Sequence, residues 1–447
     1  MKRRDFIKYT GASCAMLAAT GSLAAKNDWS SIHPPVVGEL DLNEINIVDT
    51  HVHPPQPLTL TESYDKWNSS FVGSMLPTDE YAGKEQLRKR LSSVFKEHLY
   101  NMPRQTGYYN YVSRVYGVNP DLDGFNSVVT RGIKSGFSNY IASILDREKI
   151  EKIVLESREI EARRPQSPVP SDRFVWSYNI ARIIQPEWAA EKGISSLKEV
   201  VAEISNILEH CVADGCVGFK VNVAYYRPLG IELIDAETAE RALQKLLKNP
   251  ATRFVSFSNV ADYQETEMQE AFRHYQDFLL RHIYIKAGEL KSRVIIHTAV
   301  ALHPALRFDF NSPLKLRDVF LDEEIKKVET RFLLIHTGYP YHQHVAAMLS
   351  QFPNVYTDLS FYSKFPGVLE ETLRAFLALA PADKVMHGSD SNNVPEEIGY
   401  CAWNVRQVLA KILRDYKSNY GWSQSNCEEI ANKVLHENAK RLFSIDS

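Results

Sequence analysis

From about residue 150 onward, short apolar runs alternate with longer stretches whose apolar positions recur every three or four residues. The short runs predict strands at Lys152–Glu156, Phe174–Asn179, Val217–Val223, Val294–Thr298, Phe332–Thr337, Val355–Ser360 and Val385–Gly388. Most are apolar on both faces, the pattern of a parallel sheet buried between layers. The longer stretches predict helices at Leu197–Asp214, Glu265–Leu290, Pro313–Lys326, His344–Gln351 and Val368–Leu379. Two more, Glu396–Tyr416 and Cys427–Phe443, close the chain. A strand at Ile45–His51 completes a set of eight, so the expected fold is α/β, a (β/α)₈ TIM barrel. A doubly wound open sheet is the structural alternative. Its nucleotide-binding form finds no support, because the sequence has neither G-x-G-x-x-G nor a Walker A motif.

Residues 56–150 interrupt the alternation after the first strand. They are rich in Tyr, Lys and Arg, with helical patterns at Lys84–Leu99 and Ser135–Leu145. Insertions that follow the C-terminal end of a barrel strand lie on the active-site face. A mainly helical cover over a pocket is therefore expected, with a partner-binding appendage as the alternative. The remainder shows no internal repeat, and its loop at Arg163–Ser171 holds three prolines.

The first 25 residues have a different pattern: a basic start, an apolar stretch from Gly11 to Ala25, and small residues before Lys26. That is the layout of a signal peptide. Arg3-Arg4-Asp5-Phe6-Ile7-Lys8 resembles the twin-arginine signal, whose pathway carries folded proteins; a Sec signal is the plainer reading. The expectation is an exported protein, periplasmic or extracellular, whose residues 26–447 form a single barrel domain. No later segment reaches the roughly 18 uninterrupted apolar residues of a membrane span. Removing Cys14 with the signal leaves Cys211, Cys216, Cys401 and Cys427 without a C-x-x-C pair, so they read as small apolar residues. A net charge of −3 and the lack of a long basic run argue against nucleic acid as a partner. A small-molecule substrate is expected instead, and a homo-oligomer is compatible with the chain.

The stretch "NIVDTHVHPP" carries the first candidate chemistry. Chance placement of 14 His in 447 residues yields on the order of 0.4 H-x-H triplets, so the motif is weak alone. In a strand, however, His51 and His53 point to one face, and Pro54 and Pro55 end the strand directly after them. His342 and His344 form the same triplet in a helical pattern, where they lie about 200° apart. Further polar residues stand at strand ends: Lys220 in "VGFKVN", His297 in "RVIIHT", His336 in "FLLIHTGY" and Asp390 in "KVMHGSD". Imidazoles and a carboxylate converging on one rim suit a divalent metal, zinc foremost, with manganese or iron as alternatives.

The order H-x-H, Lys, His, His, Asp on strands 1, 4, 5, 6 and 8 resembles the amidohydrolase superfamily of metal-dependent barrel enzymes. "GFKVNVAYYRPLGIE", "LLIHTGYPYHQHVAAMLSQFPNVYTDLS", "LAPADKVMHGSD" and "VLHENAKRLF" are similar to its amidohydrolase-related (amidohydrolase 2) branch. That branch also contains the N-terminal domain of FluG and nodulin/glutamine-synthetase-like proteins. The resemblance covers about 45–55 and 150–445. It implies His51, His53, His297 and Asp390 around a first metal, with His336 polarising the substrate. In binuclear members the lysine is carboxylated and bridges two ions. Lys220 leaves that possible, although one ion is the favoured reading. The implied chemistry is hydrolysis of an amide, lactone or related bond by a metal-activated water, with Asp390, His336 and Lys220 as catalytic residues. Tyr226, Arg227 and Arg307 are candidate substrate contacts, either arginine pairing with a carboxylate. Non-oxidative decarboxylation is the first alternative, uronate-isomerase-like chemistry a more distant one. An exported binding protein that lost catalysis is the non-enzymatic alternative.

Overall fold

Each of the eight apolar runs forms a strand, and the strands pair in parallel in chain order: β1 (Ile47–Val52), β2 (Ile150–Ser157), β3 (Phe174–Asn179), β4 (Cys216–Val221), β5 (Arg293–His297), β6 (Arg331–Ile335), β7 (Val355–Asp358) and β8 (Val385–Met386). The computed structural model describes residues 40–55, 85–100, 102–158, 162–248, 266–299, 307–392 and 394–445. The expected signal peptide lies outside them. Parallel ladders join β1 through β8, with register shifts in β1–β2 and β3–β4. Between β8 and β1 the sheet is nearly closed by loop backbone: Thr50 N–H donates to His387 O (3.1 Å), Asp390 N–H to His51 O (2.8 Å) and His53 N–H to Ser391 O (3.0 Å).

The two faces of the strands separate cleanly. Ile153, Leu155, Val294, Ile296, Phe332 and Leu334 pack into the large core shared with the helices. Their neighbours Val154, Ile295, Leu333 and Ile335 fill a second cluster, capped by Leu442 and Phe443 of the C-terminal helix Asn438–Phe443. Side chains two positions further along that inner face, Glu156 and His297, therefore reach its upper end.

In the described part of the 56–150 insertion the structure has four helices: α1 (Glu85–Tyr100), α2 (Pro103–Tyr116), α3 (Leu122–Lys134) and α4 (Phe137–Arg147). The rest of that stretch lies outside the described residues. The outer layer includes α5 (Leu197–Ala213), α6 (Ala236–Leu247), α7 (Glu267–Glu289), α8 (His342–Gln351), α9 (Pro366–Leu379) and α10 (Pro395–Tyr420). Helices α5 and α7 begin in capping boxes, Ser196 with Glu199 and Thr266 with Gln269. Two differences from the expected pattern have local causes. Helix α6 was not anticipated, although Asp235 caps it by accepting from Thr238 N–H at 2.7 Å. The helix expected at Pro313–Lys326 breaks at Asp322, whose carboxylate caps a new turn at Glu324 and Ile325.

Helix α10 seats the insertion. Arg406, 2% exposed, donates to the carbonyls of Leu42 (3.1 Å), Ile45 (2.9 Å) and Glu148 (2.8 Å), tying the approach to β1 and the end of α4 to one guanidinium. At the other end of α10, Glu396 is buried beneath Tyr140, whose hydroxyl donates to it, while its second oxygen has no partner. Burial raises this carboxyl from an ordinary 4.5 to about 8. In the folded chain it keeps its proton where the unfolded chain has lost it. Stability is then fully present below about pH 4.5 and falls as pH rises towards 8. Glu396→Gln is expected to flatten that slope, which denaturant melts from pH 5 to 8 would show. An unchanged slope would refute the assignment.

Candidate metal centre

His51 lies near the end of β1 and His53 directly follows the strand, while Asp390 follows β8 across the nearly closed edge. Each histidine directs its Nε2 at the same carboxylate oxygen, Asp390 Oδ1, at 3.3 Å and 3.2 Å respectively. Ligand atoms of these three residues lie within 4.8 Å of one another, a grouping that can hold a metal ion. His297 and His336 stand beside them. Their rings meet edge to face at 4.7 Å, and His336 lies 5.5 Å from His51. His297 is not part of the 4.8 Å grouping, but its buried Nε2 has no hydrogen-bond partner.

Two of these residues carry backbone strain. His336 (φ 68°) and Asp390 (φ 53°) adopt the left-handed region that non-glycine residues avoid, a conformation costing about 1–3 kcal/mol. Neighbouring groups impose it. Asp358 Oδ1 accepts from His336 N–H at 3.0 Å, and Asp390 N–H is spent on β1. Ser360 lies between Asp358 and the His336 ring. It has one hydroxyl proton, given to Asp358 Oδ1 at 2.6 Å, so His336 Nδ1 donates to Ser360 Oγ at 2.9 Å. The hydrogen-bond pattern thus leaves His336 Nε2 bearing the lone pair.

Electrostatics keep the donors ready. Burial, with Lys220 nearby, lowers His51 to about 4, and burial holds His297 and His336 well below the ordinary histidine value. All three are neutral at physiological pH, the state a metal ligand needs. Burial would raise Asp390, but His336, His51, His53 and Lys364 outweigh it and hold the carboxyl well below its usual range.

Lys220, on the inner face of β4, places Nζ 3.2 Å from His51 Nε2 and 3.6 Å from Glu156 Oε2. Glu156, at the end of β2, is a site residue that the sequence reading did not single out. Its Oε1 accepts from Arg158 Nε (2.7 Å) and Asn179 Nδ2 (2.8 Å). Its buried Oε2 makes no hydrogen bond and lies 3.8 Å from His53 Nδ1. An acid at the end of an apolar strand, "KIVLE", was the available signal. Arg158, exposed beside it, comes within 3.4 Å of His53 Nδ1.

The expected substrate contacts are engaged elsewhere. Arg227 is buried and paired with Asp277, and it donates to Gly230 O at 2.9 Å. The Tyr226 hydroxyl meets Gln185 and Gln276. Arg307 pairs with Asp309 at 2.8 Å. The ring that faces the cluster is Tyr225, 4.3 Å from His297. His342 and His344 part as their helical spacing predicts, one buried against Tyr339 and the other exposed.

The fold and site together are an eight-stranded parallel barrel with a candidate metal centre at one end of its strands. Residues 201–445 match the amidohydrolase family, and the chain belongs to it. Protein fluG of Emericella nidulans is 25% identical over 250 residues, 54% of this chain but only 27% of that relative. The chain thus spans about a quarter of the curated relative it matches. Among solved structures, a protein described as a metal-dependent hydrolase from Lactobacillus casei superposes with a TM-score of 0.67 at 16% identity, covering 90% of this chain and 96% of the other. A uronate isomerase from Thermotoga maritima reaches 0.60 at 15% identity, covering 90% and 95%. At these identities the likeness is one of fold.

Proposed function

We propose that this chain is a metal-dependent hydrolase acting on an amide, lactone or related bond of a small substrate bearing a carboxylate. The observation that carries the reading is the convergence of His51 Nε2 and His53 Nε2 on Asp390 Oδ1, in a chain of the amidohydrolase family. The donors fit a zinc-like ion: the His51 and His53 imidazoles and an ionised Asp390 carboxylate, with the unpartnered Nε2 of His297 on the ring that adjoins His336. A divalent ion held there supplies Lewis acidity and makes water a competent nucleophile near neutral pH.

The chain's own groups do the rest. Asp390, ionised and beside both histidines, can take a proton and return it to a leaving group. His336, with its lone pair on Nε2, acts as a second acceptor rather than as a hydrogen donor to an oxyanion. Arg158, bonded to Glu156 through Nε and exposed next to His53, is the cation placed beside the centre to meet a substrate carboxylate. The test is an assay of metal-loaded protein on paired amides and lactones, with and without a carboxylate. Products that gain water support hydrolysis; carbon dioxide release without added water overturns it.

A single ion is the favoured stoichiometry. Lys220 has a carboxylate partner in Glu156 at 3.6 Å, an arrangement for an ammonium, whereas a bridging role needs it carboxylated. Metal analysis should give one ion per chain, and intact mass no carbon dioxide adduct on Lys220. Glu156→Gln, which removes the carboxylate facing His53 Nδ1 and Lys220, is expected to weaken metal binding by about tenfold. Two ions flanking a modified Lys220 would refute this stoichiometry.

A further inference from the structure

Helix α2 of the insertion lies against α10 with no room to spare. A Cβ on Gly107 would stand 2.2 Å from the Tyr400 hydroxyl, and one on Gly399 would stand 2.4 Å from that of Tyr111. The Tyr108 ring packs edge-on to Tyr400 at 4.6 Å. From this contact a chain of buried polar groups runs toward the metal centre. Tyr108 OH donates to Glu397 Oε1 at 2.9 Å. Glu397 Oε2 pairs with Lys364 Nζ at 3.2 Å and accepts from Asn392 N–H at 3.3 Å. Lys364 Nζ then donates to the backbone carbonyl of Asp390 at 2.7 Å.

Asp390 is held from both sides: its N–H by His51 O and its C=O by Lys364. Its φ of 53° persists only while the surroundings impose it. The direction of its carboxylate follows from that backbone conformation. Lys364 is 4% exposed and Glu397 3% exposed. A buried ion pair of this kind is a poor source of stability compared with apolar side chains of similar volume. What apolar side chains could not supply is the bond to the Asp390 carbonyl.

We propose that Tyr108, Glu397 and Lys364 form a positioning relay that fixes Asp390 for metal binding, making helix α2 of the insertion a working part of the centre. The proposal rests on the reading of Asp390 as a metal ligand. The hydrogen bond by which the relay reaches Asp390 ends on its backbone carbonyl, not on its carboxylate.

The test is titration of the full chain with Co²⁺, whose visible bands report ligand geometry, alongside chelator competition for affinity. Lys364→Met is expected to weaken Co²⁺ binding by about 10- to 100-fold and shift the bands. Tyr108→Phe should produce a smaller change in the same direction, and Lys364→Arg should restore much of the affinity. Tyr111→Phe, at the same helix contact but hydrogen-bonded to Glu148 at 2.7 Å, should bind as the wild type does. If Lys364→Met keeps wild-type affinity and bands while Asp390→Asn loses the ion, the relay is overturned and the metal reading stands. If Asp390→Asn itself binds normally, the ligand reading falls and the relay with it. Should Lys364→Met fail to fold, Tyr108→Phe decides, since it removes one hydroxyl; unchanged bands and affinity would overturn the relay.

Discussion

Asp390→Asn is expected to lower divalent-metal affinity by a hundredfold or more and activity by about a thousandfold, with the fold intact. The carboxylate contributes three things at once. It is the oxygen on which His51 Nε2 and His53 Nε2 converge, it is the negative charge facing His336, His51, His53 and Lys364, and it is the proposed proton carrier. Asparagine keeps the shape but loses the charge and the second lone-pair-rich oxygen, and a neutral amide is a weaker zinc ligand than a carboxylate. Removing a proton carrier alone accounts for about 10²–10⁴ in rate. Metal content after dialysis and turnover at saturating metal measure the two losses separately. A variant that retains its metal and its rate would remove Asp390 from the site.

Arg406→Met is expected to destabilise the fold by about 3–5 kcal/mol, the largest effect on stability foreseen for a residue distant from the metal centre. The side chain is almost fully buried, and its donors serve three carbonyls on two separate segments plus the Glu148 carboxylate at 3.6 Å. Methionine fills similar volume but leaves Glu148 and those carbonyls short of partners in a dry setting. Tyr111 and Arg147 still reach Glu148, so the outcome is partial loss of stability rather than collapse. Chemical denaturation against wild type measures it, and a change under 1 kcal/mol would contradict the role.

The barrel was legible because its strands are apolar on both faces and few other segments imitate them. Val294–His297 and Phe332–Ile335 could hardly be anything but buried strands, and a polar residue just past such a run must sit at a rim. The same logic placed His51, His53, His297 and Asp390 near one another. It failed where position depends on turns. Tyr225 ends a short 3₁₀ turn, Val223–Tyr225, and Tyr226 follows it, so one residue of rotation sends one ring to His297 and the other to Gln185 and Gln276. Arg227 reads as a free cation in sequence; its partner Asp277 is 50 positions away on α7. Lys364 and Glu397 offered no signal at all, since a lysine after β7 and an acid in the first turn of α10 acquire meaning only once packed together.

The brevity of β8 has a consequence for how the protein holds together. Seven strand pairs share parallel ladders, while the eighth edge depends on loop amides and on the Asp49 carboxylate, which accepts from Ser389 N–H at 2.9 Å across 340 positions of chain. The candidate ligands straddle that edge, two from its first side and one from its second. An ion gripping all three would act as a cross-link closing a loop that contains almost the whole barrel, and long loops are where such a link removes the most freedom from the unfolded chain. Metal loading and closure of the ring are then coupled equilibria, and whatever holds the last strand more firmly to the first also raises the affinity of the centre for its ion.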